Sequence, residues 1–336
     1  MEGELKRVLH HYPLGELRAA RRAEQGFVNE NWIVETARGR YFLKRRHPRL
    51  RQPGLIRAQH ELIGWLRRAG FPAPTIVPTV RGETFLVLDG ELYDIQVYIE
   101  GQPYDHDRPA HLEEAALTLG RYHTHVKGFA PQALRNLGEL YSPAITSRIL
   151  TRLTDAWQLS RDPELAEIVR QLQAQIADLA ACLIGHGELT YLVIHGDFYA
   201  GNLLFDGDRI IGVVDYDKAR WQPRIVELAE ALIYFASPRP GHLKHLVYPG
   251  FLKWEPFTRF LQGYAQAATL ERKEVDTLPG YVRCIWLSVS LKRLLEKGPR
   301  PDEALEALQE VLALADWAKA NAHQMIEVAH SAMLRR

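Results

Sequence analysis

The chain has 336 residues, 46% of them hydrophobic and 25% charged, and a formal net charge of +1. That length fits two lobes better than one simple core, the composition excludes a disordered or fibrous chain, and the near-neutral charge gives no global pull toward nucleic acid or an anionic membrane. Cys182 and Cys284 are the only cysteines and fit no metal-ligand spacing; the first thirty residues lack an apolar h-region and no apolar run approaches about 18 residues, so a cytoplasmic protein is expected.

In chain order, residues 4–11 read as a short lead-in helix ended by Pro13. Residues 24–32 place Gly26 among polar residues, with Asn29, Glu30 and Asn31 following, and the alternating run 32–36 completes a strand, tight turn and strand. After the turn Arg38-Gly39, residues 40–44 form a short strand ending in Lys44. Residues 55–69 carry apolar side chains at Leu55, Ile56, Leu62, Ile63, Trp65 and Leu66, an amphipathic helix stopped by Gly70 and Pro72. Glu61 is its only acidic residue, a candidate ion-pair partner of Lys44 or else an exposed acid balancing Arg57 or Arg68. The six Lys/Arg residues from Lys44 to Arg57 read as a solvated loop or as added positive potential for a phosphate group, and prolines 72, 74 and 78 as an extended connector. Residues 84–88 and 92–99 pair as a hairpin through Asp89-Gly90, the second strand running through Tyr98 and Ile99 into Glu100-Gly101-Gln102-Pro103.

Beyond this point the chain turns helical, over residues 112–126, 163–184, 224–235, 253–268, 278–296 and 301–332. His123 and His125 point to different faces of their helix, which makes a shared metal improbable, and Trp254, Tyr264, Trp286 and Trp317 default to core packing.

The densest chemistry lies in residues 193–219, VIHGDFYAGNLLFDGDRIIGVVDYDKA. Two apolar runs on either side of Asp206-Gly207-Asp208 predict a hairpin that holds Asn202 at its entrance and Asp215 at its exit, with Asp197 on the loop leading in. An Asp on a rigid loop can orient a hydroxyl and take its proton, while an Asn and an Asp offer hard oxygen ligands to magnesium on a polyphosphate.

His195, Asp197, Asn202 and the later Asp215 resemble the H-x-D-x-x-x-x-N and metal-aspartate pattern of the protein-kinase-like superfamily. With Gly196 where protein kinases carry Arg, and Tyr216-Asp217 where they carry Phe-Gly, the segment is similar to the aminoglycoside phosphotransferase family, which includes choline kinases and type II homoserine kinases. The resemblance implies an α/β (α+β) fold of two lobes: an antiparallel-sheet N-lobe of five strands over residues 1–99 and a mostly helical C-lobe over 100–336. It further implies transfer of the γ-phosphoryl of ATP, with Mg2+, to a hydroxyl of a small molecule such as an amino alcohol, a homoserine-like compound or a sugar. Asp197 would be the base, Asn202 and Asp215 the metal ligands, and Lys44 the phosphate contact oriented by Glu61. Gly26 and Asn29 would lie in the nucleotide-covering loop, Tyr98 and Ile99 would offer backbone to the adenine, His195 would fix its loop, and Glu227 would brace it.

The expected partner is a small-molecule acceptor, with no nucleic acid and no membrane; oligomeric state is left open. A protein Ser/Thr kinase of the same family and a nucleotide-binding pseudokinase are the alternatives, but residues 216–223 leave no room for a regulated activation segment. From Lys218 to Arg336, seventeen Lys/Arg stand against thirteen Asp/Glu, which argues against a polycationic acceptor; a choline-type cation would want an aromatic cage, for which Trp221 and Trp254 are candidates.

Overall fold

The computed structural model describes residues 2–23, 28–183, 188–237, 252–298 and 301–334. Helix α1 (Glu2–Leu9) leads into strands β1 (Leu17–Arg22), β2 (Glu30–Thr36) and β3 (Gly39–Arg45); helix α2 (Pro53–Arg68) follows, then β4 (Ile76–Val77), β5 (Leu86–Leu88) and β6 (Glu91–Val97). These strands make one antiparallel sheet in the order β1-β2-β3-β6-β4, with β5 also pairing β6. It has six strands where five were expected, because the proline-rich connector contributes Ile76 and Val77 as partners of Gln96 and Ile95. The β5–β6 turn is Asp89-Gly90, both at positive φ (52° and 78°), the geometry that an Asp-Gly hairpin supplies.

Period-2 alternation decides what each face of the sheet does. Trp32, Val34, Leu43 and Ile95 bury one face against Leu5, Val8 and Leu9 of α1. Lys44 and Asp94, each one residue along from these, are paired across β3 and β6 and so point to the opposite face. Both are buried, which places a charged pair where an apolar layer would otherwise form.

The helical part opens with β7 (Gln102–Pro103), α3 (Pro109–His125), α4 (Gln132–Arg135), α5 (Pro143–Trp157) and α6 (Pro163–Cys182). Strand β8 (Tyr191–Ile194), the hairpin β9 (Leu203–Asp206) and β10 (Arg209–Val213), and β11 (Arg220–Pro223) precede α7 (Arg224–Ala236), α8 (Trp254–Ala265), α9 (Arg272–Lys297), α10 (Pro301–Ala320) and α11 (Ala322–Leu334). Helix α5 escaped the sequence reading although Ser142 caps it and Pro143 opens it. Helix α9 starts six residues earlier than Leu278, since Glu271 and Glu274 close a capping box and Glu274 also takes a two-pronged contact from the buried Arg224; Pro279 is accommodated inside. The expected single helix over 301–332 is two, divided at Asn321, whose side chain donates to the Trp317 carbonyl. Trp286, Tyr264, Phe257 and Phe260 are fully buried, as core packing demands, and Trp254 and Trp317 pack against that core.

Helices α3 and α8 meet through two glycines. A Cβ on Gly120 would come 2.7 Å from the Tyr264 carbonyl oxygen, and one on Gly263 would come 2.8 Å from the Ala116 Cβ. Helix propensity favours alanine over glycine by about 1 kcal/mol, so a net loss in Gly120→Ala would isolate the contact. We expect that variant to lose about 1–2 kcal/mol in urea denaturation, in the range for overpacking a close helix contact; unchanged or raised stability would refute the close approach.

Candidate active site

The hairpin brings the three polar residues together. Val214 N–H donates to the Asn202 carbonyl (3.0 Å), joining the entrance of β9 to the exit of β10, where Asp215 adopts a left-handed backbone with φ 68°. Asn202 Nδ2 donates to the Asp197 carbonyl (2.9 Å) and to its Oδ2 (3.3 Å), which leaves the amide oxygen as its acceptor end. His195 is fully buried, and its Nε2 meets the Val214 carbonyl (3.1 Å); burial lowers its pKa, so it serves as a neutral tie between loop and strand. Glu227 of α7 accepts from Gly196 N–H (2.7 Å) and from His123 Nε2 (2.9 Å), bracing the loop at its turn. Gly196 has φ +76°, and a Cβ there would come 2.5 Å from the Lys218 carbonyl oxygen, so no other residue fits.

Lys44 is held differently from the expectation. Its Nζ lies 3.1 Å from Asp215 and 3.0 Å from Asp217, whereas Glu61 is an exposed residue of α2. The helix face that meets the site is nearly the opposite one, two residues back: Gln59 is buried and donates to the Asp217 carbonyl (3.0 Å). Arg46, two residues past Lys44 and so on the same face, binds Asp94 (2.6 Å) and Asp217 (2.5 Å). Two buried cations therefore face three carboxylates. Burial would lower the Lys44 pKa, but Asp215 and Asp217 raise it; burial would raise Asp217, but Arg46 and Lys44 hold it at about 2. Asp94 is likewise held well below the usual carboxylate range, its burial outweighed by Arg46. Sequence signals existed for each: an Asp inside the buried run of β6, and the second Asp of Asp215-Tyr216-Asp217.

Asn29 sits at the rim, donating to Asp217 (2.5 Å) and accepting from His47 N–H (2.9 Å). Gly26 lies outside the described residues. Tyr98 donates its N–H to the Arg40 carbonyl (3.1 Å) as the sheet ends, so that donor is committed, and Ile99 packs on Gly212 of β10. Among the described residues no cluster of three His, Cys, Asp or Glu side chains suits a metal. Asn202 and Asp215 could offer magnesium the one or two protein oxygens that it takes beside phosphates and water.

A further cation and a further acid were not foreseen. Lys218, half exposed, places Nζ 2.6 Å from Asp197 Oδ1. One turn beyond Glu227, Glu230 is also buried, and burial pushes its pKa up to about 8 despite the Tyr141 hydroxyl and Lys218. Trp221 and Trp254 do not form a cage: Trp221 lies under the Arg135 guanidinium, and Trp254 packs on Phe257 and Trp317.

Two outcomes follow from this geometry. Glu61→Ala should leave activity and stability unchanged to within about 0.5 kcal/mol, while Asp217→Asn, which strips a counterion from Lys44 and Arg46, should cost about 3–5 kcal/mol and weaken nucleotide binding; equal effects in thermal melts and ATP titrations would reverse the assignment. For Glu230, the folded protein keeps a proton that the unfolded chain releases above about pH 4.3, so stability is lost as pH rises from there toward about 8. Glu230→Gln should match wild type near pH 5 and exceed it at pH 8 in urea denaturation; a pH-independent difference would contradict the shift.

Residues 19–283 match the phosphotransferase enzyme family. The homoserine kinase of Pseudomonas aeruginosa is 27% identical over 301 residues, covering 87% of this chain and 85% of its own length. Among solved structures, amicoumacin kinase hAmiN, in complex with AMP-PNP, Ca2+ and Ami, superposes with a TM-score of 0.71 at 15% identity, covering 94% of this chain and 93% of its own. A microcompartment-associated aminopropanol kinase gives 0.61 at 17% identity over 99% of both chains. These neighbours carry the same kinase-like fold of an antiparallel sheet followed by a mostly helical part. Sheet, hairpin and family match agree, and the chain belongs to the phosphotransferase enzyme family.

Proposed function

We infer that this chain is an ATP- and magnesium-dependent kinase that phosphorylates a hydroxyl of a small molecule. The observation that carries the reading is the convergence of Asp197, Asn202, Asp215 and Lys44, brought from a loop, the two ends of one hairpin and the facing sheet. Magnesium held by the Asn202 amide oxygen and Asp215 would neutralise charge on the β- and γ-phosphates. Lys44, kept cationic by its two aspartates, would contact the phosphates. Asp197 would orient the acceptor hydroxyl and take its proton as the new O–P bond forms and the bond to the ADP oxygen breaks. Lys218 is near enough to Asp197 to share its charge between that carboxylate and the incoming γ-phosphoryl.

The homoserine kinases among the relatives, and the aminopropanol kinase among the fold neighbours, favour an amino alcohol as acceptor. A protein substrate is disfavoured by the strap after Asp215. Of those eight residues, Tyr216–Lys218 form a 3-10 turn, and Arg220–Pro223 pair with β8 before α7 begins, so no extended platform is offered. No helix among the described residues is long and apolar enough to cross a membrane.

ATP with magnesium should raise the melting temperature, and ATP alone much less. Asp197→Asn should lower turnover of an accepted alcohol by about 10²–10⁴-fold while keeping the magnesium-ATP shift. Absence of any nucleotide shift, or full activity in Asp197→Asn, would defeat the reading.

A further inference from the structure

Glu227 and Glu230 lie one turn apart on α7, and both are buried, yet their surroundings differ. Both oxygens of Glu227 are satisfied, by Gly196 N–H and His123. Glu230 receives the Tyr141 hydroxyl on Oε1, but its Oε2 is buried without a hydrogen-bond partner among the described residues. Neighbouring cations do not fill the gap: Lys218 is committed to Asp197 at 2.6 Å, and Arg220 to the carbonyls of Lys218 and Gly138. Glu230 lies toward the acceptor side of the site, since Tyr234, one turn further along α7, sets its ring against that of Tyr199, two residues past Asp197. Tyr141 stands on this side, and the Tyr199 and Tyr234 rings lie 5.4 Å apart, Tyr199 two residues past Asp197 and Tyr234 one turn past Glu230. All three tyrosines are only part-buried, so access runs through side chains rather than backbone.

We propose that Glu230, with Tyr141, Tyr199 and Tyr234, forms a subsite for the ammonium group of the acceptor, which makes the substrate class an alcohol bearing a cationic amine. A buried carboxyl oxygen lacking a partner is costly. A neutral hydroxyl could pair with Glu230 while it keeps its proton, whereas an ammonium group both donates to that oxygen and draws the carboxyl into its charged form, and the aromatic rings add attraction for an alkylammonium. The assignment rests on the kinase reading above, and it explains why the fold retains an acid that costs it stability at neutral pH.

The test compares L-homoserine and 1-amino-2-propanol with the same skeletons carrying hydroxyl for amine, 2,4-dihydroxybutyrate and 1,2-propanediol. ADP release is measured with magnesium-ATP, and binding by calorimetry with a non-hydrolysable ATP analogue. We expect at least one amine compound to exceed its hydroxyl counterpart by tenfold or more in kcat/KM, and Glu230→Gln to raise its KM by tenfold or more with the KM for ATP unchanged. Tyr141→Phe should act in the same direction more weakly. Equal handling of amine and hydroxyl compounds, or Glu230→Gln indistinguishable from wild type, would overturn the subsite and leave the kinase reading standing. If no compound is phosphorylated, amine binding lost in Glu230→Gln would still support the subsite, and absence of amine binding would overturn it; the nucleotide shift tests the kinase reading separately.

Discussion

A buried set of unlike charges joins the sheet to the hairpin, and the site depends on it. Lys44 and Arg46 come from the end of β3 and just beyond it, Asp94 from β6, and Asp215 and Asp217 from the turn after β10. Burying so many charges carries a desolvation cost that hydrophobic residues of equal size would avoid, so their retention points to a task rather than to stability. The formal balance of two cations to three carboxylates leaves an excess of negative charge at the place where a divalent cation and phosphates are proposed to sit. Asp217 is central, touching Lys44, Arg46, Asn29 and, through its carbonyl, Gln59.

How much of this was legible in the sequence depends on the range of the interaction. The hairpin, its turn and the close placement of Asp197, Asn202 and Asp215 are local, fixed by apolar runs around Asp206-Gly207-Asp208. Antiparallel strands and helices were readable for the same reason. The partner of Lys44 was not, because Glu61 and Gln59 are two residues apart on one helix, and only the docking angle of α2 decides which one faces inward. Asp94 could have been noticed as a charge in the middle of a buried strand, but its partner two residues past Lys44 depends on sheet register. Glu230 gave no signal: an acid in an apolar helix reads as one exposed position, and here α7 is buried almost all round.

The two acids of α7 illustrate how one helix divides its labour. Glu227 has both oxygens engaged and holds the loop turn in place, a structural use of a buried charge. Glu230 is equally buried but incompletely engaged among the described residues, a state that native proteins seldom tolerate without a reason.

The contact between Gly196 and the Lys218 carbonyl has a mechanical consequence. Together with the His195 tie to Val214 and the β8–β11 pairing, it fastens the segment bearing Asp197 and the segment bearing Asp215 into one rigid anvil. Neither carboxylate can be displaced much relative to the other without tearing backbone contacts. Any closing stroke must therefore be delivered by the hammer opposite, the sheet carrying Lys44, and its travel is limited by how far the ion pairs to Asp215 and Asp217 can stretch before they part.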